Sequence, residues 1–121
     1  MVYMNLQRLF ENSEDIQEFQ AGSTVFTEGT PADVMYVVLD GELEVRVGNE
    51  LVNVCEPGDI FGEMALIDSE PRSATVVAKL DCRLALVDQR RFLFMVQQTP
   101  FFSLHVMKVL ANRLRRTQGK S

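Results

Sequence analysis

Between Gly22 and Val87 the chain runs through six short β-prone segments: Thr24 to Phe26, Val34 to Leu39, Leu43 to Val47, Leu51 to Val54, Ala74 to Ala78 and Arg83 to Val87, with turn residues between them. Runs this short cannot bury an apolar face alone. Strands in such close succession pack as a sandwich or close as a barrel. Leu43, Val45 and Val47 alternate with Glu42, Glu44 and Arg46, the period-two pattern of a strand with one buried and one wet face. Gly41 and the Gly48-Asn49 pair mark its ends, and Gly29, Gly58 and Gly62 fall at further junctions.

The flanks read differently. Leu6, Leu9, Phe10, Ile16 and Phe19 recur at roughly helical intervals, which predicts short helices within residues 1–20, broken near Asn12 and Ser13. Past Asp88, a plausible N-cap, Phe92, Leu93 and Val96 share a helical face. Thr99-Pro100 then opens a second helix running to Thr117, ahead of a frayed tail from Gln118 to Ser121. The expected organisation is one domain over the 121 residues: N-terminal helices in 1–20, strands in 21–87 and closing helices in 88–117.

Composition excludes several classes. Cys55 and Cys82 are the only cysteines, so one chain can build neither a disulfide framework nor a four-thiolate cluster, which suits a reducing compartment. The longest apolar run, Val34 to Leu39, is far short of the ~20 residues that cross a bilayer. Met1 to Asn12 lacks the shape of a signal peptide, so a soluble cytoplasmic protein without a membrane partner is expected. Within a net charge of −5, Asp88 is the only acid from position 88 onward, against seven Lys and Arg. Bases there complement helix C-termini, and direct nucleic-acid binding by this chain is not expected. His105 is the single histidine and lies among apolar residues, so neither a metal centre nor a haem is expected as cofactor. No nucleophile stands at a motif spacing from a base, and the chain is read as not an enzyme.

The chemistry concentrates between Phe61 and Thr75. Arg72 is expected to open a strand whose alternation puts it on the apolar face with Ala74, Val76, Ala78 and Leu80. A guanidinium aimed inward needs an anion. Glu63, Asp68 or Glu70 would serve, and so would a phosphate, whose oxygens fit the guanidinium fork bidentately. Gly62 precedes Glu63-Met64-Ala65-Leu66, a run of helix formers whose first amides would face an anion, with glycine admitting the ligand close to the backbone. A carboxylate at Glu63 would be repelled by a phosphate and is suited to accept from a sugar hydroxyl.

The run Phe61-Gly62-Glu63-Met64-Ala65-Leu66, followed after a short loop by Pro71-Arg72-Ser73-Ala74-Thr75, resembles the phosphate-binding cassette of cyclic-nucleotide-binding domains. Gly22, the Gly29 turn with Asp33 and Tyr36, Gly41-Glu42-Leu43, Pro57-Gly58-Asp59 and two closing helices also fall where that family places such residues. The resemblance implies a mainly β fold, an eight-stranded antiparallel jelly roll (double-stranded β-helix) with flanking helices. It implies a regulatory sensor whose binding energy repositions the closing helices. It puts Arg72 on the cyclic phosphate and Glu63 on the ribose 2′-hydroxyl. Phe61, Gly62, Met64 and Ala65 would line the phosphate pocket, Ser73 with Ala74 beside it would add a hydroxyl near phosphate or base, and Val45 and Val52 would enclose the base.

The Arg72-Ser73-Ala74 order is similar to the bacterial catabolite-activator branch, which implies cyclic AMP as ligand. In kinase and channel branches a hydroxyl after the arginine accompanies cyclic GMP, which stays the alternative. Thr117 matches a position that reaches the adenine amino group. In the last helix Leu104, Met107, Ala111 and Leu114 form the stripe expected to face the core. Phe102, Val106, Val109 and Leu110 spread around it as a lid or as the seam of a homodimer. No DNA-reading helix-turn-helix, kinase signature or channel segment occurs within these residues. The rival reading is a degenerate jelly roll that binds another anion or serves as a protein-interaction module. Gly62, Glu63 and Arg72 together argue against it.

Overall fold

The computed structural model describes residues 5–68 and 70–118, with side chains described as far as Arg115. The Thr117 side chain, the residues ahead of Asn5 and the tail beyond Gln118 therefore lie outside the described residues. The chain divides into a β unit, Asn5–Gln89, and a helical unit that begins at Arg90.

The β unit opens with α1 (Leu6–Phe10), capped by the Asn5 side chain, which accepts from the Arg8 amide. Eight strands follow among the described residues: β1 (Ile16–Phe19), β2 (Thr24–Phe26), β3 (Val34–Asp40), β4 (Leu43–Val47), β5 (Glu50–Cys55), β6 (Ile60–Phe61), β7 (Thr75–Ala78) and β8 (Cys82–Asp88). A single helical turn, α2 (Met64–Ile67), sits between β6 and β7. The strands make two four-stranded sheets, ordered β1-β8-β3-β6 and β2-β7-β4-β5, and every pairing is antiparallel. Only β4 and β5 are sequence neighbours within one sheet; every other step along the chain crosses to the opposite sheet. This is the expected jelly roll, with one hairpin at Gly48-Asn49.

Tyr36, Val38, Phe61, Cys82 and Leu84 from one sheet meet Leu43, Cys55, Val76 and Ala78 from the other, forming the inter-sheet core. The unbroken apolar run in β3 follows from burial on both faces: Tyr36 and Val38 enter this core, while Met35, Val37 and Leu39 are buried on the opposite side. On that side α1 lies against β3, and Gln7 Nε2 donates to the Leu39 carbonyl at 2.7 Å. Gly41, at φ +97°, makes the crossing from β3 to β4. A Cβ there would collide with the Asp81 carbonyl and Cys82 Sγ, so the crossing requires glycine.

Several sequence expectations change. Ile16–Phe19 is not helical: β1 pairs along β8 from Ile16↔Ala85 to Phe19↔Cys82, so α1 is the only N-terminal helix among the described residues. Four residues nucleate a helix poorly, whereas the open edge of β8 offers them a ready ladder. The sheets thus begin at Ile16 rather than residue 21 and extend through Asp88. β6 has two residues, too few to show a period in sequence. Along β4 burial fades from Leu43 through Val45 to an exposed Val47, as the hairpin runs out to its turn.

In the helical unit, α3 (Gln89–Gln98) and α4 (Pro100–Gln118) are separated by Thr99, whose amide donates to the Met95 carbonyl at 2.8 Å. Pro100 takes a first-turn position where no amide donor is needed. Phe92 and Phe102 meet edge to face at 5.4 Å. The expected stripe is reversed: Phe102 and Val106 are buried, whereas Leu104, Met107 and Leu114 are exposed. Among the described residues no helix is long and apolar enough to cross a membrane.

Candidate functional site

The site grows from the end of β6. Phe61 is buried in the inter-sheet core, and Gly62 follows at φ +75°, a left-handed turn that releases the chain into α2. Within that turn the Ala65 amide donates to the Gly62 carbonyl at 3.2 Å and the Leu66 amide to the Glu63 carbonyl at 3.1 Å. The Ala65 amide is thus engaged inside the turn itself. Glu63 precedes the helix in αR conformation and is only 1% exposed. A carboxylate at that depth requires hydrogen-bonding partners. Met64 faces outward, and Ala65 and Leu66 face the interior.

Arg72 is buried at 7% exposure, as alternation predicts, but for another reason. It lies outside β7, which starts at Thr75, so no strand parity acts on it, and Leu80, expected on the same face, is exposed. Instead the turn after β2 grips its backbone: the Arg72 amide donates to the Thr30 carbonyl at 2.9 Å, and the Gly29 amide donates to the Arg72 carbonyl at 2.8 Å. The side chain then turns inward. Nη2 donates to the Val34 carbonyl at 2.8 Å, Nη1 donates to the Gly62 carbonyl at 3.3 Å, and Nε is buried with no partner. The guanidinium carbon stands 4.0 Å over the Phe26 ring and 5.7 Å from that of Tyr36. Phe26, Tyr36 and Phe61 form one aromatic cluster with centroids 5.0 to 5.9 Å apart.

Arg72 takes no part in the ion pairs Arg46–Glu44, Lys79–Glu42 and Arg83–Asp40. Its direct contacts are two carbonyl dipoles and an aromatic face. Burial pulls its pKa below the ordinary arginine value, opposed by Tyr36 and Asp33. Burial likewise pushes the Tyr36 phenol up, with the Arg72 charge acting the other way. Gly62 also has a role that its spacing does not suggest. A Cβ at this position would sit 2.8 Å from Arg72 Nη1, so the missing side chain makes room for the arginine itself.

Of the candidate residues, Phe61, Gly62, Glu63 and Arg72 gather at this point of the fold. Ser73 is exposed and Ala74 half-buried in the segment leading to β7. Val45 lies on β4 opposite Val76 of β7, and Val52 is the residue skipped where the β4–β5 register shifts, leaving it 49% exposed. Sequence reasoning missed Phe26 and the Val34 carbonyl. Phe26 closes a β-prone run just before a glycine turn, a weak signal, and no sequence pattern marks a particular carbonyl.

The fold is an antiparallel jelly roll, and it holds a buried arginine with unspent donor capacity. The model of the family "Cyclic nucleotide-binding domain" matches residues 16–99, and the chain belongs to that family. A CRP-like cAMP-activated global transcriptional regulator of Mycobacterium tuberculosis is 32% identical over 107 residues, 84% of this chain and 48% of its own length. A cGMP-dependent protein kinase of Plasmodium berghei is 41% identical over 73 residues, 60% of this chain and 8% of the kinase. The catabolite activator protein of Thermus thermophilus superposes with a TM-score of 0.78 at 27% identity, over 86% of this chain and 51% of that one. The chain therefore spans about half the length of the bacterial regulators it matches and a small part of the kinase.

Proposed function

We propose that this chain is a non-enzymatic regulatory domain that captures cyclic AMP, with Arg72 as the receptor of the cyclic phosphate. The observation that carries the reading is the state of Arg72: buried, with its two Nη groups on backbone carbonyls and its Nε donor without a partner. A buried cation in this condition is destabilising unless an anion arrives, and a phosphate supplies two acceptors in the spacing of the guanidinium fork. Glu63 accepts from the ribose 2′-hydroxyl. Phe61, Gly62, Met64 and Ala65 line the phosphate side, Ser73 and Ala74 flank the arginine, and Val45 and Val52 cover the base.

Cyclic AMP is favoured over cyclic GMP by the cAMP-activated regulator that aligns with most of this chain. The cGMP-dependent kinase aligns over a shorter stretch. Capture biases the arrangement of α3 and α4, which carries the signal. The exposed Leu104, Met107 and Leu114 of α4 suit a second copy of the chain as partner. A monomeric mass in light scattering, with and without nucleotide, would refute the homodimer. Buried Cys55 and Cys82 suit the reducing cytoplasm.

The test is thermal unfolding with each nucleotide. A ligand at 100 times its Kd adds about 2.7 kcal/mol to the folded state, so cyclic AMP raises the Tm and Arg72→Ala removes the rise. No shift with either nucleotide at millimolar concentration sinks the proposal.

A further inference from the structure

We propose that Phe26 is a positioning residue for the ligand arginine: its ring, with the Val34 carbonyl, holds the Arg72 guanidinium in a fixed pose before any nucleotide arrives. The inference rests on the reading that Arg72 receives the phosphate, and it concerns how that arginine is kept both charged and available.

The guanidinium needs compensation when buried, and the kind of compensation decides whether it can still bind. A carboxylate would satisfy the charge but would also repel an incoming phosphate and have to be displaced. An aromatic face offers its negative quadrupole without a net charge, so it steadies the cation and leaves its attraction for an anion intact. The distance of 4.0 Å from the guanidinium carbon to the Phe26 centroid is well within the roughly 6 Å at which such attraction acts. Tyr36, at 5.7 Å, is at the limit of that range.

Three further contacts tie Phe26 to this task. Its ring edge lies 3.5 Å from the point where a Gly62 Cβ would stand, so it packs under the glycine and the arginine together. The turn that follows it holds the Arg72 backbone through Gly29 and Thr30, so one segment from β2 onward fixes both ends of the residue. Tyr36 and Phe61 brace the ring from the core, at 5.8 and 5.9 Å. Arginine has many rotamers, and restricting them on folding rather than on binding raises affinity without adding a contact to the ligand.

The experiment compares Phe26→Leu, which keeps apolar bulk but removes the ring, with Phe26→Tyr, which keeps the ring. Titration calorimetry of the full chain with cyclic AMP and with cyclic GMP is expected to show Phe26→Leu about tenfold weaker than wild type, and Phe26→Tyr within about twofold. In the ligand-free protein the Arg72 Nε–H proton resonance is displaced by the ring current; the displacement is lost in Phe26→Leu and kept in Phe26→Tyr. Should Phe26→Leu not fold, fluorinated phenylalanines at position 26 keep the shape and drain the ring's negative face, and affinity should fall with each fluorine. Equal affinity in Phe26→Leu, equal weakening in Phe26→Tyr, or a flat fluorine series would overturn the proposal. Wild-type protein that binds neither nucleotide would overturn the proposed function instead. The Nε resonance then still decides whether the ring holds the arginine, and no displacement in wild type means that it does not.

Discussion

The two ends of the candidate site are built to opposite rules. At the proposed phosphate end Arg72 and Glu63 are buried, and Gly62 is held at a positive φ that makes room for the guanidinium. At the proposed base end Val52 and the neighbouring Leu51 and Val47 are exposed, on a hairpin with a register shift, and Ser73 is exposed as well. The contrast has a physical origin. Charged groups lose hydration when buried, so their pose has to be secured by the fold itself. Apolar cover for a base needs only area, and it can wait in solvent until the ligand supplies the other surface. Both ends lie within the residues that the family model matches, and under the proposed function the open end is where adenine and guanine would be told apart.

The largest expected effect tests whether the phosphate end is there for binding. Arg72→Met fills similar volume without charge, and cyclic-nucleotide affinity should fall at least about a hundredfold, because two charge-assisted hydrogen bonds at ~1.5–3 kcal/mol each are lost. Folding stability in urea should stay within about 1 kcal/mol of wild type, since an apolar replacement for a buried, poorly compensated ion is often neutral or better. A variant losing more than about 3 kcal/mol would make Arg72 a structural residue and erase the contrast between the ends. Next in size is Gly62→Ala. A left-handed φ costs a side-chain-bearing residue roughly 1–2 kcal/mol, and its Cβ would meet Arg72 Nη1 at 2.8 Å, so stability and affinity should fall together. Urea unfolding that moves by less than about 0.5 kcal/mol would mean that the turn relaxes at no cost.

How much of this was legible in the sequence differs between the same regions. Thr24–Phe26 and Leu43–Val47 form as read, because local alternation and adjacent turn residues suffice to set them. The inward aim of Arg72 was read correctly from strand parity that does not operate there. The true cause is a pair of backbone bonds to Gly29 and Thr30, brought alongside only by the fold. Gly62 was read as space for a ligand, and the fold adds a demand that the sequence does not show, room for Nη1 of a residue ten positions on. Ile16 and Phe19 share a spacing that a helix and a strand both tolerate, and the open edge of β8 decides between them. The α4 stripe reversed because several of its faces carry apolar residues, and periodicity cannot rank them.

Smaller effects belong to the base end and sharpen the comparison. Val52→Ala removes an exposed side chain, so stability should change by less than about 0.5 kcal/mol while both nucleotides bind less than tenfold more weakly. Ser73→Ala should leave stability alone and change the ratio of cyclic AMP to cyclic GMP affinity by roughly two- to tenfold, the worth of one hydroxyl hydrogen bond. An unchanged ratio would remove Ser73 from base selection. The smallest effect is a pH dependence at the aromatic cluster. Burial raises the Tyr36 pKa above the ordinary 10.0, so from about pH 10 up to the folded value the folded state holds a proton that the unfolded chain has released. Stability from this group is complete below pH 10 and is lost as pH rises through the folded value, which gives a downward slope on the alkaline side. Urea unfolding between pH 9 and 11 should show a shallower decline in Tyr36→Phe than in wild type. Identical slopes would mean that the phenol is as well solvated when folded as when unfolded, and that the cluster beneath Arg72 is wetter than its packing implies.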